Sequence, residues 1–237
     1  MPVSRMHSID RWFLNELYGL IHRVTQAYQD RDLHVAVNEI HNFCAVEASS
    51  LFLDMTKDRL YCSAPDSQAR RSAQIGMYEG LRILTRLIAP VLVYTADEVW
   101  DFLPREESVH LTDWPEIPRE WESPDLAEDF ARLRNVREDV LREIENHKTI
   151  DDAAQAEVTL SWPAAEDVLL DYEDLLEEWF IVSDVSVIEG ASQKLITVEP
   201  TNSQKCERCW RYRSHVQVRE NVERDLLCDR CYGVLKS

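Results

Sequence analysis

The chain has 237 residues, of which 45% are hydrophobic and 30% are charged, a composition typical of a globular protein with one or two domains. No apolar run approaches the roughly 18 residues that span a bilayer, and residues 1–10 lack the apolar region of a signal peptide, so we expect a cytoplasmic protein with no membrane partner. Only five glycines are present, which argues against a glycine-rich nucleotide loop and an all-β fold.

The net charge of −18 argues against simple nucleic-acid binding through bulk electrostatic attraction. The charge is unevenly distributed, with −9 on residues 1–149, −12 on residues 150–199 and +3 on residues 200–237. Any contact with RNA is therefore expected on the C-terminal segment and on local basic faces of the first region. The acidic middle segment is expected to point away from RNA.

Four amphipathic helices are predicted in the first part of the chain from apolar residues spaced three and four apart. Ser8 or Asp10 can cap the first helix, and Pro90 should kink the third because it removes a backbone donor. Short breaks between the helices favour an antiparallel bundle, so the predicted fold class is mainly α. The predicted helices cover residues 9–28, 32–55, 67–102 and 123–147, within a helical domain of residues 1–149.

The pattern changes after residue 150. Residues 158–162 alternate like a short strand, residues 171–180 predict a helix with an acidic outer face, and residues 185–188 and 195–198 predict two further strands. These elements predict a small acidic α+β unit over residues 150–200, followed by a separate C-terminal module over residues 201–237.

The C-terminal module contains two Cys-x-x-Cys pairs, Cys206 with Cys209 and Cys228 with Cys231, separated by 18 residues. Two such knuckles can give one metal ion a tetrahedral shell of four sulfurs, the geometry that zinc prefers. A disulfide framework suits small secreted proteins, and a redox Cys-x-x-Cys normally occurs once in a βαβ pattern. The spacing therefore predicts one structural Zn²⁺, because a four-cysteine shell leaves no open position for catalysis.

The first knuckle lies in a run of interleaved basic and aromatic residues. Arginine and lysine can pair with phosphates or base edges, and an exposed tryptophan can stack an unpaired base. The alternative for Trp210 is that it covers the zinc site. The candidate RNA contacts in this run are Lys205, Arg208, Trp210, Arg211 and Arg213.

No catalytic constellation is evident in the sequence. It contains neither a Walker loop nor a G-x-G-x-x-G motif, and its histidines, cysteines and serines suggest no triad. Arg70 and Arg71 open the third predicted helix, where a helix N-terminus with adjacent arginines can hold a phosphate. Solvent exposure or ion pairing with the many nearby acids is the alternative for this pair.

Several stretches resemble the C-terminal portion of bacterial isoleucyl-tRNA synthetases, from the anticodon-binding helical domain through the terminal zinc segment. Residues 52–61, FLDMTKDRLY, are similar to the family's Y-L-D-x-x-K-D-R-x-Y stretch. The other matching stretches are D-R-W at 10–12, A-R-R-S at 69–72, L-I-A-P at 87–90, T-A-D-E-V-W at 95–100 and K-C-x-R-C-W at 205–210.

This resemblance implies a bundle of the class I synthetase anticodon-binding type that supports the anticodon stem, and a zinc module that clamps the anticodon loop of isoleucine tRNA. Arg11, Arg70 and Arg71 are then expected contacts to the RNA backbone. The charged cluster of Lys57, Asp58 and Arg59 is expected to be a structural ion pair or a tRNA contact.

The family's H-I-G-H and K-M-S-K-S elements and its editing domain do not occur in the sequence. The chain alone is therefore not expected to aminoacylate tRNA, and ATP would bind only in the catalytic body of a parent isoleucine ligase. Two alternatives remain open: a free-standing synthetase-like RNA-binding paralogue, and a zinc-stabilised protein–protein interaction module.

Overall fold

The structure is a computed structural model that describes residues 1–104, 107–116, 118–163, 168–219 and 226–236. The chain forms two compact units, one of Met1–Leu60 and Pro65–Ala127 and the other of Tyr61–Ala64 and Glu128–Ser237. Residues 220–225 and 237 of the predicted C-terminal module lie outside the described residues. The division at residues 149 and 200 stays a prediction. None of the helices in the described ranges is long and apolar enough to cross a membrane.

The first unit is helical, as predicted, and the helix α1 packs against α2, α4 and a π-helical segment. The helices from α1 to α5 follow one another with short connections, residues 101–123 separate α5 from α6, and α6 continues into the second unit. The elements are α1 (Ser8–Gln29), α2 (Leu33–Asn42), the π segment (Phe43–Leu53), α3 (Asp54–Cys62), α4 (Gln68–Ile88), α5 (Val93–Trp100) and α6 (Pro124–Asn146).

The π segment lets Phe43 and Phe52 of the second predicted helix face the core together. Phe43 and Phe52 are nine residues apart, so an α-helix with about 3.6 residues per turn would place them on opposite faces. The wider i→i+5 turns bring both rings to Phe13, whose ring centroid lies 5.6 Å from that of Phe43 and 3.9 Å from that of Phe52. The helical run also extends to Cys62, seven residues beyond the predicted end at Met55.

Two glycines of α4 allow these aromatic rings to approach the helix closely. A Cβ atom on Gly76 would lie 2.8 Å from Cζ of Phe52, and one on Gly80 would lie 3.0 Å from Cε1 of Phe13. Glycine inside a helix costs about 1 kcal/mol relative to alanine. The closely packed Phe13 and Phe52 rings, stacked with an interplanar angle of 6°, account for its use at these two positions.

The third predicted helix is interrupted, which corrects the expected kink at Pro90. Helix α4 ends at Ile88 and α5 begins at Val93, and the N–H groups of Val91 and Leu92 both donate to the Ile88 carbonyl at 2.9 Å. Pro90 has no N–H to donate to the carbonyl four residues earlier and its ring crowds the preceding turn, so the helix stops and restarts.

A buried ion pair fixes the start of α1 to α3. Both carboxylate oxygens of Asp10 accept hydrogen bonds of 2.8 Å from Arg59, and the side chains are 0% and 7% exposed. The predicted cap by Ser8 or Asp10 is wrong, because His7 occupies the cap position without a side-chain cap bond and Asp10 is committed to Arg59. Burial and the nearby Arg59 charge lower the pKa of His7 to about 4.

The second unit contains the predicted small sheet. Its strands β1 (Ala156–Trp162), β2 (Asp184–Glu189) and β3 (Leu195–Pro200) lie in the order β2-β1-β3, with β2 parallel and β3 antiparallel to β1. The helices α7 (Val168–Asp171) and α8 (Glu173–Phe180) lie in the crossover between β1 and β2. The connection from β2 to β3 passes the end of β1, where the Ala191 N–H donates to the Trp162 carbonyl at 3.2 Å.

Trp179 joins α6 to α8 within this unit. Its ring meets that of Phe130 edge to face at 5.0 Å, and its Nε1 donates to the Leu133 carbonyl at 3.0 Å. The Arg137 guanidinium donates to the Trp179 carbonyl at 3.1 Å, so a buried charge also has a partner. The part of α6 beyond Ala127, which the sequence assigns to the bundle, therefore packs in the second unit.

We predict that Asp10→Ala destabilises the first unit strongly. The substitution leaves the Arg59 guanidinium buried without its carboxylate, and breaking a buried pair in this way costs about 3–5 kcal/mol. The free energy of unfolding is measured by urea titration with circular dichroism. Lys57→Ala is the control, because it removes only the exposed Lys57–Asp54 pair and should cost less than about 1 kcal/mol. Equal losses in the two variants would contradict the structural role of Asp10.

Candidate metal centre and nucleic-acid interface

Short strands and one helix carry the four cysteines of the C-terminal module. Strand β4 pairs with β5, and β6 pairs with β7, both antiparallel. The first knuckle (residues 206–209) is the turn between β4 and β5, and the second knuckle (residues 228–231) runs from the end of β7 into α9. The elements are β4 (Gln204–Lys205), β5 (Tyr212–Arg213), β6 (Val216–Val218), β7 (Leu226–Cys228) and α9 (Asp229–Lys236).

The four sulfurs converge on one point. Their Sγ atoms all lie within 4.8 Å of one another, and those of Cys209 and Cys228 are 3.9 Å apart. A tetrahedral ion with metal–sulfur bonds of about 2.3 Å would place its sulfur ligands about 3.8 Å apart. All four thiols are free, and a disulfide would bring two sulfurs to about 2.05 Å. The geometry therefore fits a metal ion and does not fit a disulfide pair.

Two of the four thiols, Cys228 and Cys231, have raised pKa values. Burial raises the pKa of Cys228. A hydrogen bond with Cys209 lowers the pKa of Cys231, but a hydrogen bond with Cys62 and burial outweigh it and raise this pKa to about 12. The Cys228 N–H donates to Cys206 Sγ at 3.4 Å. Within the described residues, these four cysteines form the only group of His, Cys, Asp or Glu side chains able to hold an ion.

Cys62 is a fifth buried thiol beside this cluster, and sequence analysis did not connect it with the metal centre. It is 5% exposed and belongs to the same buried cluster as the four cysteines. Its Sγ donates to the Arg208 carbonyl at 3.5 Å. The sequence separation of 146 residues carries no periodic signal, so only the fold brings the two residues together.

Arg208, the first candidate RNA contact, makes internal hydrogen bonds. Its guanidinium donates to the Cys62 carbonyl at 2.6 Å, to the Tyr61 carbonyl at 3.4 Å and to Cys231 Sγ at 3.6 Å. Arg208 is half-buried, and its role as an RNA contact stays a prediction.

Trp210 stands out from the knuckle. Its side chain is 68% exposed, and its backbone has a φ of 61°, a left-handed conformation that is unusual for a bulky residue. Its Nε1 donates to the Glu207 carbonyl at 3.2 Å, and Lys205 Nζ lies 5.4 Å from its ring centroid. The described residues that pack around the sulfurs are instead Val216, Leu226, Leu227 and Tyr232.

The two remaining arginines of this run differ in their surroundings. Arg213 donates to Glu177 Oε2 at 2.6 Å and to the Ser183 carbonyl at 3.1 Å, which ties β5 to the sheet subdomain of the same unit. Arg211 is 9% exposed, and its Nη1 atom is buried without a hydrogen-bond partner. Of the five candidate RNA contacts in this run, Lys205 and Trp210 are therefore the exposed ones.

The other candidate backbone contacts belong to the first unit. Arg11 is half-buried on α1, Arg70 is half-buried in the first turn of α4, and Arg71 is exposed with its guanidinium 3.2 Å from Gln74 Oε1. The Arg70 N–H donates to the capping Ser67 hydroxyl at 3.3 Å. Their contacts with RNA stay predictions.

The helical fold and the cysteine cluster agree with the similarity of this chain to known proteins. Residues 10–168 match the family described as the anticodon-binding domain of tRNA ligase, and the chain belongs to this family.

Relatives that also span the cysteine segment are isoleucine–tRNA ligases. That of Syntrophotalea carbinolica is 42% identical over 98% of this chain, that of Geobacter sulfurreducens 38% over all of it, and that of Thermotoga maritima 36% over all of it. The chain spans 26–27% of the length of these relatives.

Proposed function

We propose that this chain is an anticodon-recognition module for isoleucine tRNA, which acts within a longer ATP-dependent isoleucine ligase. The observation that carries the proposal is the exposed Trp210 ring on a turn fixed by four converging cysteines, in a chain of the anticodon-binding family. The chain would supply recognition, and the aminoacylation chemistry would belong to the catalytic body of that ligase.

The proposed ion is one structural Zn²⁺ held by Cys206, Cys209, Cys228 and Cys231. Four thiolates are a soft donor set that suits zinc, and they leave no coordination position for a water or a substrate. When bound, the ion supplies a cross-link between the two knuckles. The strands that it would join have only two or three residues each, too few to be stable by pairing alone.

The proposed RNA surface combines stacking with a cationic side chain. The flat face of Trp210 can stack an unpaired anticodon base, an interaction that contributes about 1–3 kcal/mol for each base. Lys205 lies near the same ring and can pair with an adjacent phosphate. Residues 200–237 carry a formal side-chain charge of +3, which four thiolates and a Zn²⁺ would lower by about two, against −12 on residues 150–199, and this difference favours RNA contact at this surface.

The metal proposal predicts that Cys206→Ser releases zinc and unfolds the C-terminal module, since metal binding in such small modules is itself folding free energy. Metal content is measured by mass spectrometry, and amide hydrogen exchange of residues 204–236 reports unfolding. Cys44→Ser is the control, because Cys44 lies in the π segment of the first unit and should leave the metal content unchanged. One equivalent of zinc retained in the Cys206 variant would contradict the four-cysteine assignment.

The anticodon proposal predicts that the chain discriminates between tRNAs by their anticodon. Isoleucine tRNA and the same tRNA with an exchanged anticodon are titrated at two salt concentrations. The ratio of the two affinities should favour isoleucine tRNA at both concentrations, because base contacts carry sequence information and phosphate contacts carry the salt dependence. Equal affinities for the two tRNAs would contradict the proposal of anticodon recognition. Binding of neither tRNA would favour a protein–protein interaction module.

The stacking proposal predicts that Trp210→Ala weakens binding of isoleucine tRNA by about 1–3 kcal/mol. Trp210→Phe should retain most of the affinity, because phenylalanine keeps an aromatic face on the turn. Fluorescence anisotropy of labelled tRNA measures both variants, and each should keep one equivalent of zinc because the cysteines are unchanged. Unchanged affinity in the alanine variant would show that Trp210 does not contact the tRNA.

A further inference from the structure

The Arg208 guanidinium connects the cysteine cluster to the end of α3. The Tyr61 and Cys62 carbonyls that it contacts belong to the last turn of α3, where four carbonyls have no partner within the helix. The same guanidinium reaches the sulfur of Cys231. The Cys62 thiol donates back to the Arg208 carbonyl, so the two residues are held to each other in both directions.

These contacts would be electrostatically favourable beside a metal ion bound by four thiolates. Four sulfur anions and one divalent cation leave a charge of about −2, which a guanidinium beside one sulfur offsets. The carbonyl end of a helix also carries partial negative charge, and arginine can cap it. Hydrogen bonds from outside the ligand set orient metal ligands, and their loss typically lowers metal affinity by about 10- to 100-fold.

The two knuckles offer an internal comparison because their sequences are nearly alike, Cys-Glu-Arg-Cys and Cys-Asp-Arg-Cys. Arg208 and Arg230 occupy equivalent positions, but Arg208 is half-buried and Arg230 is exposed. The position of the first knuckle beside residues 61–62 gives Arg208 its contacts with the Tyr61 and Cys62 carbonyls.

We propose that Arg208 is a positioning residue of the metal centre, which holds Cys231 in its ligating position and anchors the last turn of α3 through Tyr61 and Cys62. This inference rests on the proposed metal site. It adds Arg208 and residues 61–62, which are distant from each other in sequence, as supports around the four ligands. Arg208 then contributes to RNA binding indirectly, by keeping the two knuckles in register.

The test compares Arg208→Gln with Arg230→Gln in the full chain. Zinc release to a chromogenic chelator should be at least about 10-fold faster for Arg208→Gln than for the wild-type chain, and unchanged for Arg230→Gln. Arg208→Lys should be intermediate, because an ammonium is a point charge that cannot hold two carbonyls and a sulfur with a planar fork.

A spectroscopic measurement separates a contact to the sulfur from a general loss of packing. In the Co²⁺-substituted chain, the sulfur-to-metal charge-transfer band reports the electron density on the thiolates. This band should shift in Arg208→Gln and Arg208→Lys but not in Arg230→Gln. If Arg208→Gln does not fold, the lysine variant decides the result.

The outcomes distinguish this inference from the proposed function. If the wild-type chain bound no zinc, the proposed metal site itself would be contradicted. Zinc release and a Co²⁺ band equal to wild type in both Arg208 variants would overturn only the positioning role. If zinc release and the Co²⁺ band stayed equal to wild type in those variants while their affinity for isoleucine tRNA fell, Arg208 would be a direct RNA contact, and the inference would also be overturned.

Discussion

The convergence of four buried sulfurs within 4.8 Å of one another is the constraint on which the C-terminal module depends. A hydrogen bond with Cys209 lowers the pKa of Cys231, but hydrogen bonds with Cys62 and Cys228 together with burial raise it to about 12. The four strands around them have two or three residues each and supply few apolar contacts. Short strand pairing and a small apolar cluster leave room for the proposed shared metal ion to stabilise this segment.

The same constraint explains how a large aromatic side chain can remain in solvent. Val216 and Leu227 already cover the sulfurs, so Trp210 is not needed for burial and projects from a left-handed turn. An exposed tryptophan on a rigid turn suits stacking because little side-chain freedom is lost when a base binds. By contrast, the sheet and α8 of the same unit have their own core around Trp179 and Phe130.

The local elements were largely predictable because their signals are short in range. Helices α1 and α6 and strands β1 to β3 agree with the predicted positions within about two residues, since periodicity and capping residues act locally. The π segment was not predictable from a 3.6-residue period, because the Phe13 ring selects the wider turn that aligns Phe43 and Phe52. The effect of Pro90 was underestimated, since the helix ends where a kink was expected.

The sequence by itself determined the four-cysteine set, the mainly helical class and the family. Ligand spacing, helical periodicity and motif identity are all properties of residues that are close together in sequence. Only the tertiary structure decided which basic residues face inward. Arg59 pairs with Asp10, Arg213 pairs with Glu177, and Arg208 bonds to the end of α3. The sequence around an arginine does not show whether its side chain contacts solvent, a carboxylate or a sulfur. Its partner is chosen by chain folding over separations of up to 147 residues, a choice that no local spacing encodes.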